Sequence, residues 1–322
     1  MAPHPILSSV EPVIAAARHV HIHEGRIDEV AAWMAYETLG WPDFRSPLIP
    51  EGNDADTMDF LFLTSTINFA FTDFEAHVVF RTSYQGREYS DSDAMMACLK
   101  RAYDIRTPLL EGRFLRGLTR ADLAQIFSGN IEMPMLDERL AIFHEVGELL
   151  EGSYQGRFHR FIASSPRIVF PLLERVLEDF PSFRDASEHR GQRVRFEKRP
   201  QLLLWQLHAR FRASGFFVLE DPEELTIFAD YIVPVALCLL GILSYSESLE
   251  RSIRERHLVP RDSEEEVEIR AASIWACHLL TRALNARRPP DRQVIEPVVD
   301  GRLWTHYHET HWPHHLTITT AY

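Results

Sequence analysis

Apolar residues recur at helical spacing through most of the chain. Their spacing of three or four residues places them on one face of a helix and predicts amphipathic helices that share a core. A first helix is expected near Ser8 and Glu11, which have capping-box spacing. The pattern predicts further helices over residues 27–39, 91–103, 119–127, 136–150, 168–180, 201–212, 230–243 and 263–286.

A strand pattern stands out in one place only. Residues 77–84 and 87–89 are rich in aromatic and β-branched side chains and flank a Gln85-Gly86 turn, which predicts a small β-hairpin near residues 77–89. No repeat of fixed period occurs. The expected fold is therefore mainly α, with residues 1–322 forming a single helical domain.

The chain carries a formal net charge of -13. Proteins that bind duplex DNA or tRNA usually present a basic face that displaces condensed counterions, so this charge disfavours nucleic acid and favours a small anionic ligand. The three cysteines form no CxxC pair and indicate free thiols in a reducing compartment. Because no signal peptide or membrane-spanning run is visible, we expect a cytoplasmic protein without a membrane partner.

Asp230 comes directly before a strongly apolar predicted helix. An aspartate at that position is typical of an N-cap, and Pro234 is tolerated in the first turn. The position also suits catalysis, because a helix N-terminus stabilises an ionised carboxylate and glycoside cleavage requires negative charge beside a developing oxocarbenium ion. The cap is the commoner role, and the two roles are compatible.

Four cationic residues crowd before another predicted helix. Arg193, Arg195, Lys198 and Arg199 precede Pro200, so their charges and the free backbone N–H groups could converge on one phosphate. A solvated basic loop is the alternative. No GxGxxG, GxxxxGK[ST] or GxSxG motif occurs, which removes the usual signals for dinucleotide, P-loop and α/β-hydrolase proteins.

Histidine and aromatic residues are concentrated near the end of the chain. No HExxH frame or cysteine accompanies them, so we expect surface, packing or ligand-contact roles and no metal site. Two further groups could either pack in the protein or bind a ligand. They are the alternating histidines His19, His21 and His23 and the aromatic residues around Asn68. The crowded residues are Asp300, Trp304, His306, Tyr307, His308, His311, His314 and His315.

Seven stretches together resemble the queuosine salvage proteins, a family of queuosine 5'-phosphate N-glycosylases. The resemblance implies an all-helical fold similar to helix-hairpin-helix DNA glycosylases, with a mononucleotide pocket in place of a DNA groove. The stretches follow one another along nearly the whole chain. They are TSTINFAF (64–71), DFPSFRD (179–185), RVRFEKRPQLL (193–203), FADYIVP (228–234), LSYS (243–246), EVEIRAASIW (266–275) and VVDGRLW (298–304).

The same resemblance implies roles for individual residues. Asp230 is implied as the catalytic carboxylate, Lys198 as a phosphate or sugar contact, and Asp300 as a contact to the base. Eukaryotic members carry an aspartate directly after the tail tryptophan, where this chain has Thr305. The implied substrate-binding residues are Phe228, Tyr231, Lys198, Asp300, Gly301, Trp304, Thr305, Asn68 and His23.

The implied reaction is hydrolysis of queuosine 5'-monophosphate to queuine and ribose 5-phosphate, with no metal or organic cofactor. Queuine is a 7-deazaguanine, so carbon replaces the ring nitrogen that purine hydrolases protonate, and help for the leaving base must come from other donors. Two alternatives stay open. A helical DNA-base glycosylase is opposed by the acidic charge, and a non-catalytic queuosine-binding protein would bind without turnover.

Overall fold

The computed structural model describes residues 3–310 and 312–322, and helices dominate this part of the chain. The mainly helical prediction is thereby confirmed. The described helices are α1 (Pro5–Ala16), α2 (Glu24–Met34), α3 (Ala55–Thr66), α4 (Asp91–Asp104), α5 (Gly112–Gly117), α6 (Arg120–Ile126), α7 (Leu136–Ser153), α8 (Phe158–Ala163), α9 (Val169–Asp179), α10 (Lys198–Phe211), α11 (Ile232–Leu239), α12 (Glu247–Arg254), α13 (Glu264–Asn285) and α14 (Glu296–Tyr307).

Short strands form three antiparallel pairs in the described residues. The predicted hairpin is confirmed: it is the second pair, which turns at Gly86 with φ of +77°. The pairs are β1 (Val20–Ile22) with β6 (Leu243–Tyr245), β2 (Arg81–Tyr84) with β3 (Arg87–Ser90), and β4 (Ala186–His189) with β5 (Gln192–Arg195).

The expectation of a single strand region was wrong. The hairpin β4–β5 turns at Arg190 and Gly191, whose φ angles of 51° and 80° lie in the left-handed region. Its strands read ASEH and QRVR. These strands are mostly polar and lack the apolar alternation on which a strand prediction depends. The sequence pattern therefore does not predict them.

Helix boundaries follow the apolar pattern closely in most cases. Helices α4, α6, α7, α9, α10 and α13 begin and end within three residues of the prediction. Helix α11 ends earlier, at Leu239, because Gly241 with φ of 73° turns the chain into β6. The Ser8 cap was wrong: α1 begins at Pro5, and the Nδ1 atom of His4 accepts the N–H of Leu7.

Helix α13 is the central element of the core. Most of its side chains are buried, and it packs against α1, α2, α11 and α14. One cluster of buried apolar residues extends from Ile6 on α1 to Leu303 on α14. Among the described residues, no helix is both long enough and apolar enough to cross a bilayer. The polar residues of the candidate active site therefore lie within a largely apolar interior.

Candidate active site

Asp230 caps the N-terminus of α11. Its Oδ1 atom accepts the backbone N–H groups of Ile232 at 2.8 Å and Val233 at 3.0 Å. The predicted cap is thus confirmed, and Pro234 lies in the first turn of the helix. The side chain is buried, and its Oδ2 atom accepts no hydrogen bond from the described residues. One carboxylate oxygen is therefore held in place while the other is available to a ligand.

Asp300 approaches the same segment from α14. Its side chain is buried, and its Oδ2 atom accepts the backbone N–H of Phe228 at 2.9 Å. Phe228 lies two residues before Asp230, so this bond fixes α14 against the strand-like segment that leads into α11. Helices α11 and α14 also pack directly on each other. Two buried carboxyl groups are thereby brought to one place from positions 70 residues apart.

Lys198 is the first residue of α10 and brings a positive charge to this pair. Its backbone N–H donates to Oδ2 of Asp185 at 2.9 Å, and its Nζ donates to Oδ1 of Asn68 at 3.4 Å. The side chain is buried. A buried ammonium is stable only beside groups that compensate its charge, and the carboxyl groups of Asp230 and Asp300 supply that compensation.

The three side chains perturb one another electrostatically. Burial, together with the charge of Asp230, raises the pKa of the Asp300 carboxyl well above its usual value. Burial also raises the pKa of the Asp230 carboxyl, although the Lys198 ammonium and the two capping N–H groups oppose the rise. Burial lowers the pKa of Lys198. Such a cluster favours one protonated and one ionised carboxyl group, which is the combination that acid-assisted glycoside cleavage requires.

A buried ion pair supports this cluster from behind. Arg270 on α13 donates to Asp185 through two hydrogen bonds of 2.8 and 2.7 Å, and its Nε donates to the carbonyl of Ala229 at 3.2 Å. Burial alone would raise the pKa of Asp185, but the Arg270 guanidinium outweighs it and holds that pKa below the usual value. Arg270 therefore ties the start of α10 to the residue before Asp230.

Tyr231, the residue after Asp230, forms a wall of a cavity of about 250 Å³ whose lining includes none of Asp230, Asp300 and Lys198. Its hydroxyl donates to Asp91 at 3.0 Å, and its ring stacks on His314 with centroids 4.5 Å apart. The other walls of the cavity combine apolar and hydroxyl side chains and the carboxylate of Asp91 with five cationic or imidazole side chains. Two Nδ1 atoms, those of His77 and His308, are buried without a hydrogen-bond partner among the described residues. The five cationic or imidazole residues are His77, Arg81, Arg256, His308 and His314. The lining suits an anionic ligand.

Residues 48–322 match the family model described as queuosine salvage protein. The chain belongs to this family. The match includes every residue of the cluster described above, and six of the seven stretches that carried the resemblance contribute a side chain to it or to its supporting ion pair: Asn68, Asp185, Lys198, Asp230, Arg270 and Asp300.

Curated relatives agree with the family assignment. The chain is 36% identical to the queuosine 5'-phosphate N-glycosylase/hydrolase of Sphaerobacter thermophilus over 282 residues, which cover 88% of this chain and 86% of that protein. Proteins with the same name from Schizosaccharomyces pombe and Bos taurus are each 29% identical, covering 93% and 83% of this chain and 90% and 81% of their own lengths.

The structure brings some of the residues implied by the queuosine salvage resemblance together and places others apart. Phe228 is buried against Asp300, whereas Trp304 stacks on His308 with centroids 4.2 Å apart, toward the Tyr231 cavity. Thr305 is exposed and Gly301 is partly buried, both on α14. His23 lies beyond the far end of α11, where its Nε2 contacts the hydroxyl of Ser244 at 2.8 Å.

The basic segment does not converge on a ligand site as a group. Arg193 is exposed, and Arg195 pairs with Glu197 at 2.6 Å and Glu174 at 2.5 Å. Arg199 is buried and donates to two backbone carbonyls. The anion at the N-terminus of α10 is the protein's own Asp185. In the His-rich tail, His306 and His308 lie at the end of α14, His314 and His315 lie in the extended segment, and His311 is outside the described residues.

Sequence reasoning missed three contributors: Asp91, Asp185 and Arg270. Arg270 did carry a local signal, because a charged residue flanked by Ile269 and Ala271 on a helix that is buried on all sides requires a buried partner. Asp185 gave no comparable signal, since it follows a short 3-10 helix in a turn-like stretch. The pairing of these two residues became visible only with the fold.

Proposed function

We propose that this protein hydrolyses the N-glycosidic bond of queuosine 5'-phosphate, releasing queuine and ribose 5-phosphate. The names of its relatives give the substrate. The observation that carries the proposal is the buried pair of carboxyl groups, Asp230 and Asp300, which are coupled electrostatically to the buried ammonium of Lys198. Such a cluster is costly to retain for stability alone, because burying charged groups costs several kcal/mol per ion.

Asp230 is proposed to act on the sugar. Its capped Oδ1 fixes the orientation of the carboxylate, and the Oδ2 atom faces the developing positive charge at the anomeric carbon. The Lys198 ammonium favours the ionised form of this carboxyl group by opposing the pKa rise that burial causes. The pre-oriented charge stabilises an oxocarbenium-like transition state without reorganisation, which is where electrostatic catalysis gains most.

Asp300 is proposed to assist the leaving base. Burial and the neighbouring Asp230 raise its pKa, so it is the carboxyl group that holds a proton. The Phe228 N–H occupies its Oδ2, which directs the other oxygen toward the base. Because a 7-deazapurine has no ring nitrogen at position 7, this proton must go to another acceptor on the base. A donor fixed on α14 meets that requirement better than water, since its orientation costs no entropy during the reaction.

The phosphate is proposed to bind in the Tyr231 cavity and not at the basic segment before α10. Arg81 and Arg256 line this cavity together with the buried, unpartnered nitrogens of His77 and His308. Lys198, by contrast, lies beside two carboxyl groups that would repel a dianion. Lys198 is therefore assigned to the sugar, where the cluster needs a donor, and the remote phosphate supplies binding energy that positions the glycosidic bond.

The decisive experiment incubates the purified protein with queuosine 5'-phosphate and separates the products by chromatography. We expect stoichiometric queuine and ribose 5-phosphate. Asp230→Asn should lower kcat by about 10²–10³, the usual loss when one preorganised electrostatic contact is removed, while Asn retains the cap. Asp54→Asn is the matched control, because Asp54 caps α3 through Thr57 N at 2.9 Å far from the cluster. Equal turnover in both variants would show that Asp230 only caps the helix and is not a catalytic residue.

Binding without release of queuine would instead support a non-catalytic queuosine-binding protein. The remaining alternative, a DNA-base glycosylase, follows from a proposed similarity of these helices to helix-hairpin-helix DNA glycosylases. It predicts oligonucleotide binding that weakens steeply as salt rises, whereas we expect no such binding at a net charge of -13. We further propose that residues 1–322 act as one domain in the cytoplasm, with no cofactor in the reaction.

A further inference from the structure

A second polar cluster lies at the N-terminal end of α13. The Nε2 atom of His19 lies 4.0 Å from Oε2 of Glu264, and one ligand atom from each of His19, Glu264 and Glu268 falls within 4.8 Å of the other two. A fourth group approaches from β4, where Nε2 of His189 lies 3.9 Å from Oε1 of Glu268. The cluster thus joins the segment before β1, the hairpin β4–β5 and α13.

The carboxylates in this cluster are firmly oriented. Glu268 is fully buried and accepts the backbone N–H groups of Arg18, His19 and Val20 at 2.6–3.1 Å, all three through Oε2, and the Arg18 N–H also reaches Oε1 at 3.0 Å. Glu264 accepts Nε of Arg190 at 3.1 Å through Oε1, which leaves Oε2 toward His19. Hydrogen bonds of this kind to the outer side of a carboxylate are what orient metal-binding groups in proteins.

His189 supplies the independent sign that a ligand belongs here. Its side chain is only 4% exposed, and its Nε2 atom has no hydrogen-bond partner among the described residues. Buried polar atoms without a partner are rare, and each calls for an explanation such as a bound ion. His19 also faces carboxylates: its Nδ1 lies 3.5 Å from the hydroxyl of Ser246, and its Nε2 lies 3.8 Å from Oε1 of Glu265 and 4.0 Å from Oε2 of Glu264.

We propose that His19, His189, Glu264 and Glu268 bind a divalent transition-metal ion, with Zn²⁺ as the preferred occupant. Two imidazoles and two carboxylates form a ligand set of the type that Zn²⁺ accepts at bond lengths of about 2.0–2.2 Å, which places tetrahedral neighbours about 3.4 Å apart. The separations of 3.9 and 4.0 Å are about half an ångström longer. The ligand atoms of His19, Glu264 and Glu268 lie within 4.8 Å of one another and His189 is outside that group, so the side chains must move inward to bind the ion. Mg²⁺ is disfavoured because it prefers six oxygen ligands.

The proposed ion is structural and lies apart from the reacting groups. Asp185 immediately precedes β4, the strand that ends at His189, and Arg270 follows Glu268 by two residues on α13. The ion would therefore clamp together the two elements that carry the buried Asp185–Arg270 pair. Its expected effect is on the stability of that arrangement. No step of the hydrolysis passes through it.

The test uses the full chain after treatment with a chelator, titrated with Zn²⁺ alone by calorimetry and by competition with a chromophoric chelator. We expect one Zn²⁺ per chain and a Zn²⁺-dependent rise in Tm, since an ion that binds only the folded state stabilises it. His19→Gln and Glu264→Gln, both at partly exposed positions, should each lower the affinity at least tenfold and remove the rise in Tm. Mg²⁺ should produce neither effect.

His21→Gln is the matched control, because His21 lies two residues from His19 on the exposed side of β1. It should bind Zn²⁺ like the parent. A second control, His306→Gln, tests the His-rich tail as a competing site, since His306 is exposed on α14. The proposal is overturned if the parent binds no Zn²⁺, if His19→Gln binds as tightly as His21→Gln, or if only His306→Gln loses affinity.

Discussion

Replacing Asp185 by asparagine should destabilise the fold by about 3–5 kcal/mol, the usual cost of breaking a buried ion pair by removing one partner. The carboxylate of Asp185 accepts 2.8 and 2.7 Å bonds from Arg270 and a 2.9 Å bond from the N–H of Lys198. In the variant an NH₂ group must face one of these donors. At least one charge-assisted bond, worth about 1.5–3 kcal/mol, is lost.

The Arg270 guanidinium would then remain buried with Glu266, at 3.6 Å, as its nearest carboxylate. That leftover charge accounts for the remainder of the loss. Urea unfolding followed by circular dichroism gives the free energy of unfolding from the midpoint and the slope m. Asp137→Asn is the matched control, because Asp137 pairs with Arg120 at 2.8 Å on the exposed surface and should cost less than about 1 kcal/mol. A loss for Asp185→Asn as small as the control, with m unchanged, would refute the reasoning.

The pH dependence gives a second measurement on the same variant. The folded-state pKa of Asp185 lies below its ordinary value of 3.8, so the carboxyl binds protons more readily when the chain is unfolded. Its contribution is therefore fully present above pH 3.8 and is lost as the pH falls through the lower folded-state pKa. The parent and Asp185→Asn should differ in their free energies of unfolding at neutral pH. This difference should begin to shrink only when the pH falls below about 3.8.

Three further predictions concern turnover. Lys198→Met should lower kcat/KM by about 10²-fold for both queuosine and its 5'-phosphate, because the contact is to the sugar; a narrower preference for the phosphate would reassign Lys198 to that group. Arg256→Ala should lower kcat/KM for the 5'-phosphate by about tenfold or more, as expected for one charge-assisted bond, and leave queuosine nearly unaffected; equal losses would move the phosphate elsewhere. Asp300→Asn should remove the fall in kcat/KM that accompanies rising pH, since the raised pKa of Asp300 keeps its proton available; an unchanged fall would identify another acid.

The helices could be predicted from sequence because each buries one apolar face. The spacing of the apolar residues on that face is visible within the helix's own segment of sequence. Helix α13, predicted over residues 263–286, forms over Glu264–Asn285 for this reason. The hairpin β4–β5 could not be predicted, because its strands are polar; its turn at Arg190 and Gly191 has the same left-handed backbone angles as the Gln85-Gly86 turn of the hairpin that was predicted. Strand pairing is a property of two segments and leaves little trace in either one.

The candidate site divides in the same way. Asp230 was visible as a cap because the helix after it is apolar, and the family stretches then pointed to Lys198 and Asp300. The Asp185–Arg270 pair was not visible, because its members are 85 residues apart in the sequence. The phosphate contact was expected in the basic segment from charge density alone, yet Arg195 and Arg199 are engaged by neighbouring protein groups. Charge along a sequence does not reveal which cations the fold already occupies.

The contacts that build the Asp230 cluster also set the order in which a nascent chain can acquire it. The hydrogen-bonded partners are far apart in the sequence: Asn68 and Lys198 are separated by 130 residues, Asp185 and Arg270 by 85, and Phe228 and Asp300 by 72. Contacts this distant in sequence form slowly, because the intervening loop must be closed before any bond is gained. During synthesis the early helices are exposed long before α14 exists, so Lys198 and Asp230 must stay solvated until the final elements arrive. Catalytic competence is therefore expected to appear in one late step, and refolding experiments should recover helical signal well before they recover turnover.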